Sequence, residues 1–237
     1  MAMTARRTEQ IPLPDGSELW LTLAEPESAV RGGIVVVQEA RGVTDAVRHL
    51  ADGLAGEGWL AVVPHLYHRD GIAELPEDGS DDEQVRSHVE RLCAASVLTD
   101  VDAVLGWLAE QGVAADRMGV VGFGLGGTVA LIVAAERDLG AAVSVAGIGI
   151  VAPVSPGLPA LVEAVPALRC PWLGVYGADD LVPVHEVHTL QHALQSAQVA
   201  THLVHFDDDT CHCADRQSAA TAEAWTRTLN WFDSHLR

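Results

Sequence analysis

Apolar positions along this chain alternate between two periods, and the alternation predicts its elements. The opening, TEQIPLPDGSELWLTLAEP, carries two strand-like runs joined at Asp15-Gly16, a dipeptide that tolerates the positive φ of a hairpin turn. GGIVVVQEA and GWLAVVPHLY are continuous apolar runs, the pattern of strands covered on both faces by helices. RMGVVGF, AAVSVAGIG, CPWLGVYGADD and ATHLVHFDDD continue the series. Between them the period becomes helical over 44–57, with Val47, Leu50, Leu54 and Ala55 on one face, and again over 83–111, 126–138, 184–197 and 214–235. HRDGIAELPEDGSDD predicts an acidic loop, and the proline-interrupted IVAPVSPGLPALVEAVPALR an irregular crossover. Strand and helix in alternation predict an α/β fold: a mostly parallel twisted sheet with helices on both faces, right-handed crossovers and an N-terminal antiparallel hairpin.

Length and composition set limits on this picture. At 237 residues and 49% hydrophobic, the chain is expected to form a single domain over 1–237. A net charge of −19, with scattered Lys and Arg, argues against nucleic acid and anionic membrane surfaces as partners. No apolar run reaches the ~18 residues of a membrane span, and MAMTARRTEQ lacks an apolar signal core, so a cytoplasmic protein is expected. Cys93, Cys170, Cys211 and Cys213 form no CxxC pair and read as reduced thiols.

In such sheets ligands sit at the carboxyl ends of the strands, so chemistry is sought there. The strand ends carry Glu39-Ala40-Arg41, His65 to His68, Gly122 to Gly127, Asp179-Asp180 and Cys211-His212-Cys213. Gly122-Phe123-Gly124-Leu125-Gly126-Gly127 does not fit the spacing of a dinucleotide loop, and no cofactor is expected. A strand, a glycine turn and a helix, followed in order by an acid and a histidine, match instead the triad order of α/β-hydrolases.

At these residues the sequence resembles the dienelactone hydrolases, a compact, cap-less branch of that fold which opens lactones with a cysteine nucleophile. The resemblance runs over roughly 32–216 and is carried by VVVQEARGV, LAGEGWLAVVPHLY, GFGLGG and VYGADDLVP. It implies that Glu39 is the carboxylate beside the nucleophile position, that Leu125 and Ala40 supply the oxyanion amides, and that His212 is the triad histidine. Asp179 matches the triad acid, with Asp180 as its competitor. Arg216 falls on an arginine that binds the substrate carboxylate, where a guanidinium suits bidentate capture of an anion. Arg86 and Arg91 are candidates for a second.

Three positions depart from the family: His65 replaces an Asp, Arg41 a large apolar residue, and Gly124 the Cys. Glycine has no side chain, so no acyl-enzyme forms at this position. His212 with Asp179 then remains as a general base, Glu39 as an acid or second base, and Arg216, Arg41 and His65 as substrate contacts. The competing reading of the pair is a histidine satisfied by its carboxylate without chemistry. Metal ligation by His65, His68, Glu39, His212, Cys211 and Cys213 is the less favoured alternative, because in an extended stretch the two thiols point away from the face His212 uses. Three readings follow: non-covalent acid-base chemistry on a small lactone-, enol- or polyketide-like molecule, a binding module that kept the pocket, or an ordinary ester hydrolase that lost its nucleophile. A monomer or homodimer is expected.

Overall fold

A computed structural model describes residues 6–76, 82–178, 182–206 and 219–237. Eight strands form one sheet: β1 (Arg6–Pro12), β2 (Glu18–Ala24), β3 (Gly33–Val37), β4 (Leu60–Pro64), β5 (Met118–Phe123), β6 (Ala141–Val145), β7 (Trp172–Tyr176) and β8 (Thr201–His205). Their spatial order is β1-β2-β4-β3-β5-β6-β7-β8. β1 and β2 form the antiparallel hairpin, β2 runs antiparallel to β4, and the remaining pairs are parallel.

The continuous apolar runs are strands buried on both faces. Along β3, Val35 and Val37 enter one core while Ile34 and Val36 enter the other. The first core is closed by α3 (Ala94–Glu110), α4 (Leu125–Glu136), α5 (Leu161–Ala164) and α6 (Val184–Ala193). The second is closed by α1 (Asp45–Gly56) and α7 (Ala219–His235). Thr44 caps α1 by accepting from the Val47 amide.

Several expected boundaries shift. The helical period over 83–111 is two helices, α2 (Asp82–Arg91) and α3, because Cys93 is extended at φ −132°, ψ 152° and its segment bridges to Gly157. The Ala94 amide donates to the Gly157 carbonyl at 2.8 Å, tying the break to the crossover. The strand expected across AAVSVAGIG ends at Val145, since Ala146 (φ +49°) and Gly149 (φ +76°) have left extended geometry. Within the crossover a short helix, α5, forms despite the flanking prolines. The last helix is described over Ala219–His235; the expected residues 214–218 lie outside the described ones.

Candidate active site

The sheet register brings the candidate residues to one edge. β3 pairs with β5 as Val37↔Gly122, and β5 with β6 as Phe123↔Val145. Glu39, Gly124 and Ala146 therefore leave the sheet side by side at its carboxyl end. Gly124 sits at φ +52°, ψ −117°, a conformation open to glycine and strained for other residues. Its amide donates to the Val145 carbonyl at 2.9 Å, and its carbonyl accepts from the Thr128 amide at 3.1 Å.

Packing explains the neighbouring glycines. A Cβ on Gly122 would stand 2.2 Å from the Gly126 carbonyl oxygen, and one on Gly126 2.5 Å from the Val37 oxygen, so α4 presses directly on the ends of β5 and β3. At Gly124 the outcome is opposite: a Cβ meets no atom of the described residues within 4 Å. Leu125, the expected oxyanion residue, opens α4, where the first-turn amides have no helical acceptor.

The other expected oxyanion residue, Ala40, lies in a tight turn closed by the Gly42 amide donating to the Glu39 carbonyl at 2.9 Å. Gly42 is required there: its φ is +96°, and a Cβ would stand 2.4 Å from the Ala73 carbonyl oxygen. Glu39 and Ala40 are half-buried. The 73–75 segment holds the turn from behind through Val43 N to Ala73 O at 2.8 Å and Leu75 N to Arg41 O at 2.7 Å.

Arg41 turns to the rim, where its guanidinium donates to the Pro76 carbonyl and pairs with Asp82 at the start of α2. His65 is not at the turn. It is buried against β2, with Nε2 2.8 Å from Thr22 Oγ1 and its ring edge-on to Trp20. Burial, helped by the Arg48 charge, lowers its pKa to about 4, so the imidazole is neutral. His68 faces the Glu18 carbonyl and the buried Asp100. Of the candidates for a second carboxylate-binding arginine, Arg91 binds Asp70 at 2.9 Å and Arg86 is exposed. His212, Asp179, Asp180, Arg216, Cys211 and Cys213 lie outside the described residues. Among the described residues no group of three metal-ligating side chains converges.

Three features escaped the sequence reading. Ala146 takes a positive φ beside Gly124, a strain whose only trace in the sequence is the small-residue run after Val145. Tyr67 donates to the Ala40 carbonyl at 2.9 Å; its motif was legible but its partner was not. Arg69 grips Asp100 through two bonds of 2.9 and 2.7 Å, a pairing 31 residues apart with no local signal. Among the described residues a hollow of about 230 Å³, bordered by His49, Phe123, Val145 and Trp225, opens between α1 and α7.

The comparisons agree with this architecture. The Klebsiella pneumoniae protein whose crystal structure is provisionally described as a dienelactone hydrolase superposes with a TM-score of 0.85 at 31% identity, covering 97% of this chain and 99% of its own. A Salmonella typhimurium protein, provisionally named carboxymethylenebutenolidase, is 33% identical over 209 residues, 84% of this chain and 76% of that one. The carboxymethylenebutenolidase of Rhodococcus opacus is 28% identical over 215 residues, 86% of this chain and 81% of its own. The dienelactone hydrolase family profile matches residues 21–236, from within β2 through α7, and the chain belongs to the dienelactone hydrolase family.

Proposed function

We propose that this protein is a dienelactone-hydrolase-like enzyme lacking the covalent nucleophile, and that it acts by proton transfer on a small lactone-, enol- or polyketide-like molecule. The observation that carries the reading is Gly124: a turn with the backbone geometry that presents a side chain, space free of described residues where that side chain would project, and no side chain there. In this reading His212, oriented by Asp179, is the general base, and Glu39 a second acid-base group beside Gly124. The Leu125 and Ala40 amides stabilise the oxygen on which negative charge develops, and Arg216 receives a substrate carboxylate. Hydration, lyase, isomerase and cyclase chemistry all draw on such general acid–base catalysis. The chain works as a single domain without a cofactor.

The test is turnover of a panel of enol lactones and unsaturated carboxylates by wild type, His212→Ala and Gly124→Cys. Wild-type turnover that falls by about 10²–10⁴-fold in His212→Ala supports the reading. A wild type inert to the whole panel, with hydrolysis appearing only in Gly124→Cys, overturns it in favour of an ester hydrolase that has lost its nucleophile. The open space at Gly124 also favours that second reading, since it accepts a thiol without displacing a described neighbour.

A further inference from the structure

We propose that Tyr67 is a positioning residue, whose hydroxyl fixes the 39–42 turn and thereby aims the Ala40 amide at the site. This inference deepens the reading above and rests on it for the amide's role, but not for the clamp itself.

Two bonds determine the direction of that amide. In a planar trans peptide the carbonyl of Glu39 and the N–H of Ala40 point opposite ways. The Gly42 amide holds the Glu39 carbonyl towards the inside of the turn, so the Ala40 N–H is directed outward. The next peptide is fixed independently, because Tyr67 Oη donates to the Ala40 carbonyl at 2.9 Å. With both flanking peptide planes held, the amide keeps one orientation before any ligand arrives, which is what an electrostatic donor needs in order to act without reorganisation.

The tyrosine is itself held. It is buried, and burial pushes its phenol above the ordinary range, so the hydroxyl stays protonated as a donor. The His88 ring lies 5.1 Å from the Tyr67 ring, centroid to centroid, and His88 Nδ1 is 2.8 Å from Asp70 Oδ2. The buried Gln38 side chain accepts from the Leu66 amide at 2.8 Å, joining the ends of β3 and β4 that carry the turn and the tyrosine. These are the Gln of VVVQEARGV and the Tyr of VVPHLY, motif residues to which the proposed chemistry gives no part.

The experiment compares the full chain with Tyr67→Phe, which keeps the ring and its packing and deletes one hydroxyl. Amide hydrogen exchange and ¹⁵N relaxation are read across residues 39–43. Loss of one hydrogen bond should speed Gly42 exchange several-fold, up to about tenfold, and lower the Ala40 order parameter, while the β5 amides stay as protected as before. Unchanged Gly42 exchange overturns the proposal whatever the protein catalyses. Uniformly faster exchange, β5 included, also overturns it, because the hydroxyl would then be serving the fold rather than the turn. For the functional arm, acylation by p-nitrophenyl acetate is followed in Gly124→Cys with and without Tyr67→Phe. A fall in maximal rate of tenfold or more at unchanged KM supports positioning. An unchanged rate over a loosened turn overturns it. If Gly124→Cys is inert, the exchange result alone decides the clamp, and the failure belongs to the oxyanion reading.

Discussion

Gly124→Cys tests how the β5–α4 turn divides its constraints, and its magnitude follows from the geometry. A Cβ at 124 meets no described atom within 4 Å, so the described residues add no steric term, only the strain of a non-glycine residue at φ +52°, ψ −117°. That strain is about 1–3 kcal/mol, which for a chain of this length lowers Tm by roughly 2–12 °C. Gly122→Ala, two residues earlier, is the control. Its Cβ would lie 2.2 Å from the Gly126 oxygen and 2.3 Å from the Gly126 carbon, an overlap with backbone that only displacement of α4 relieves. A loss beyond about 4 kcal/mol, or failure to fold, is expected there. Differential scanning calorimetry measures both variants, and the pH dependence of iodoacetamide alkylation reads the new thiol, whose pKa at a helix N-terminus should fall below the ordinary ~8.5. If Gly124→Cys destabilises as much as Gly122→Ala, or if its thiol resists alkylation up to pH 9, the space assigned to position 124 is not there.

Other predictions concern groups away from the turn. Asp100→Ala removes the buried carboxylate from Arg69, which loses both bonds but remains about one-third exposed and rehydrates. The expected loss is about 3 kcal/mol, at the low end for a broken buried pair, measured by urea denaturation, and a loss under about 1 kcal/mol would refute the pairing. His65 has a folded pKa of about 4 against an ordinary 6.5, so the unfolded chain binds the extra proton between those values. Its contribution is complete above pH 6.5 and is lost as the pH falls towards 4, on the order of 3 kcal/mol across that window. His65→Gln should flatten the pH dependence of unfolding free energy there, and a parallel curve would contradict the assignment. Ala146→Gly relieves a positive φ in a non-glycine residue and should be neutral or raise stability by up to about 1 kcal/mol, the reverse of the usual cost of glycine. A loss above 1 kcal/mol would mean that Ala146 is not strained.

How much of this could be read from the sequence depends on the range over which each feature is decided. β3 and β4 were legible because a strand covered on both faces is a run of apolar residues, and the Asp15-Gly16 turn because its backbone demands those residue types. The break at Cys93 was not legible. No proline or glycine interrupts the period there, and the helix is stopped by a bridge to Gly157, 64 residues away in the chain. His65 shows the same limit at the site. Its place at a strand's carboxyl end suggested a substrate contact, but the direction of its side chain depends on β2 running beside β4, a pairing that strand patterns alone do not fix. Arg41 likewise reads as an available cation until the start of α2 comes within reach of it.

The turn around Gly124 separates two requirements that a catalytic elbow usually joins. Close approach of α4 to β3 and β5 is secured by Gly122 and Gly126, whose neighbours are backbone atoms and do not depend on the side chain at 124. The conformation of residue 124 itself is imposed from outside, by the Val145 carbonyl on its amide and the Thr128 amide on its carbonyl. A residue with a side chain therefore bears the strain of that conformation, while glycine does not. On the proposed reading, giving up the nucleophile left the fold's supports intact and removed a local strain, so stability did not oppose the change. On the same reading, the exchange gave up the covalent intermediate, and with it the need for a thiolate beside Glu39. The half-buried Glu39 and the Ala40 amide then keep their places because the 39–42 turn is anchored to the 65–76 segment, and the Leu125 amide keeps its place with α4, whose seating on β3 and β5 is secured by Gly122 and Gly126. A site whose charged and dipolar groups are mounted independently of its nucleophile can lose that nucleophile and still move protons.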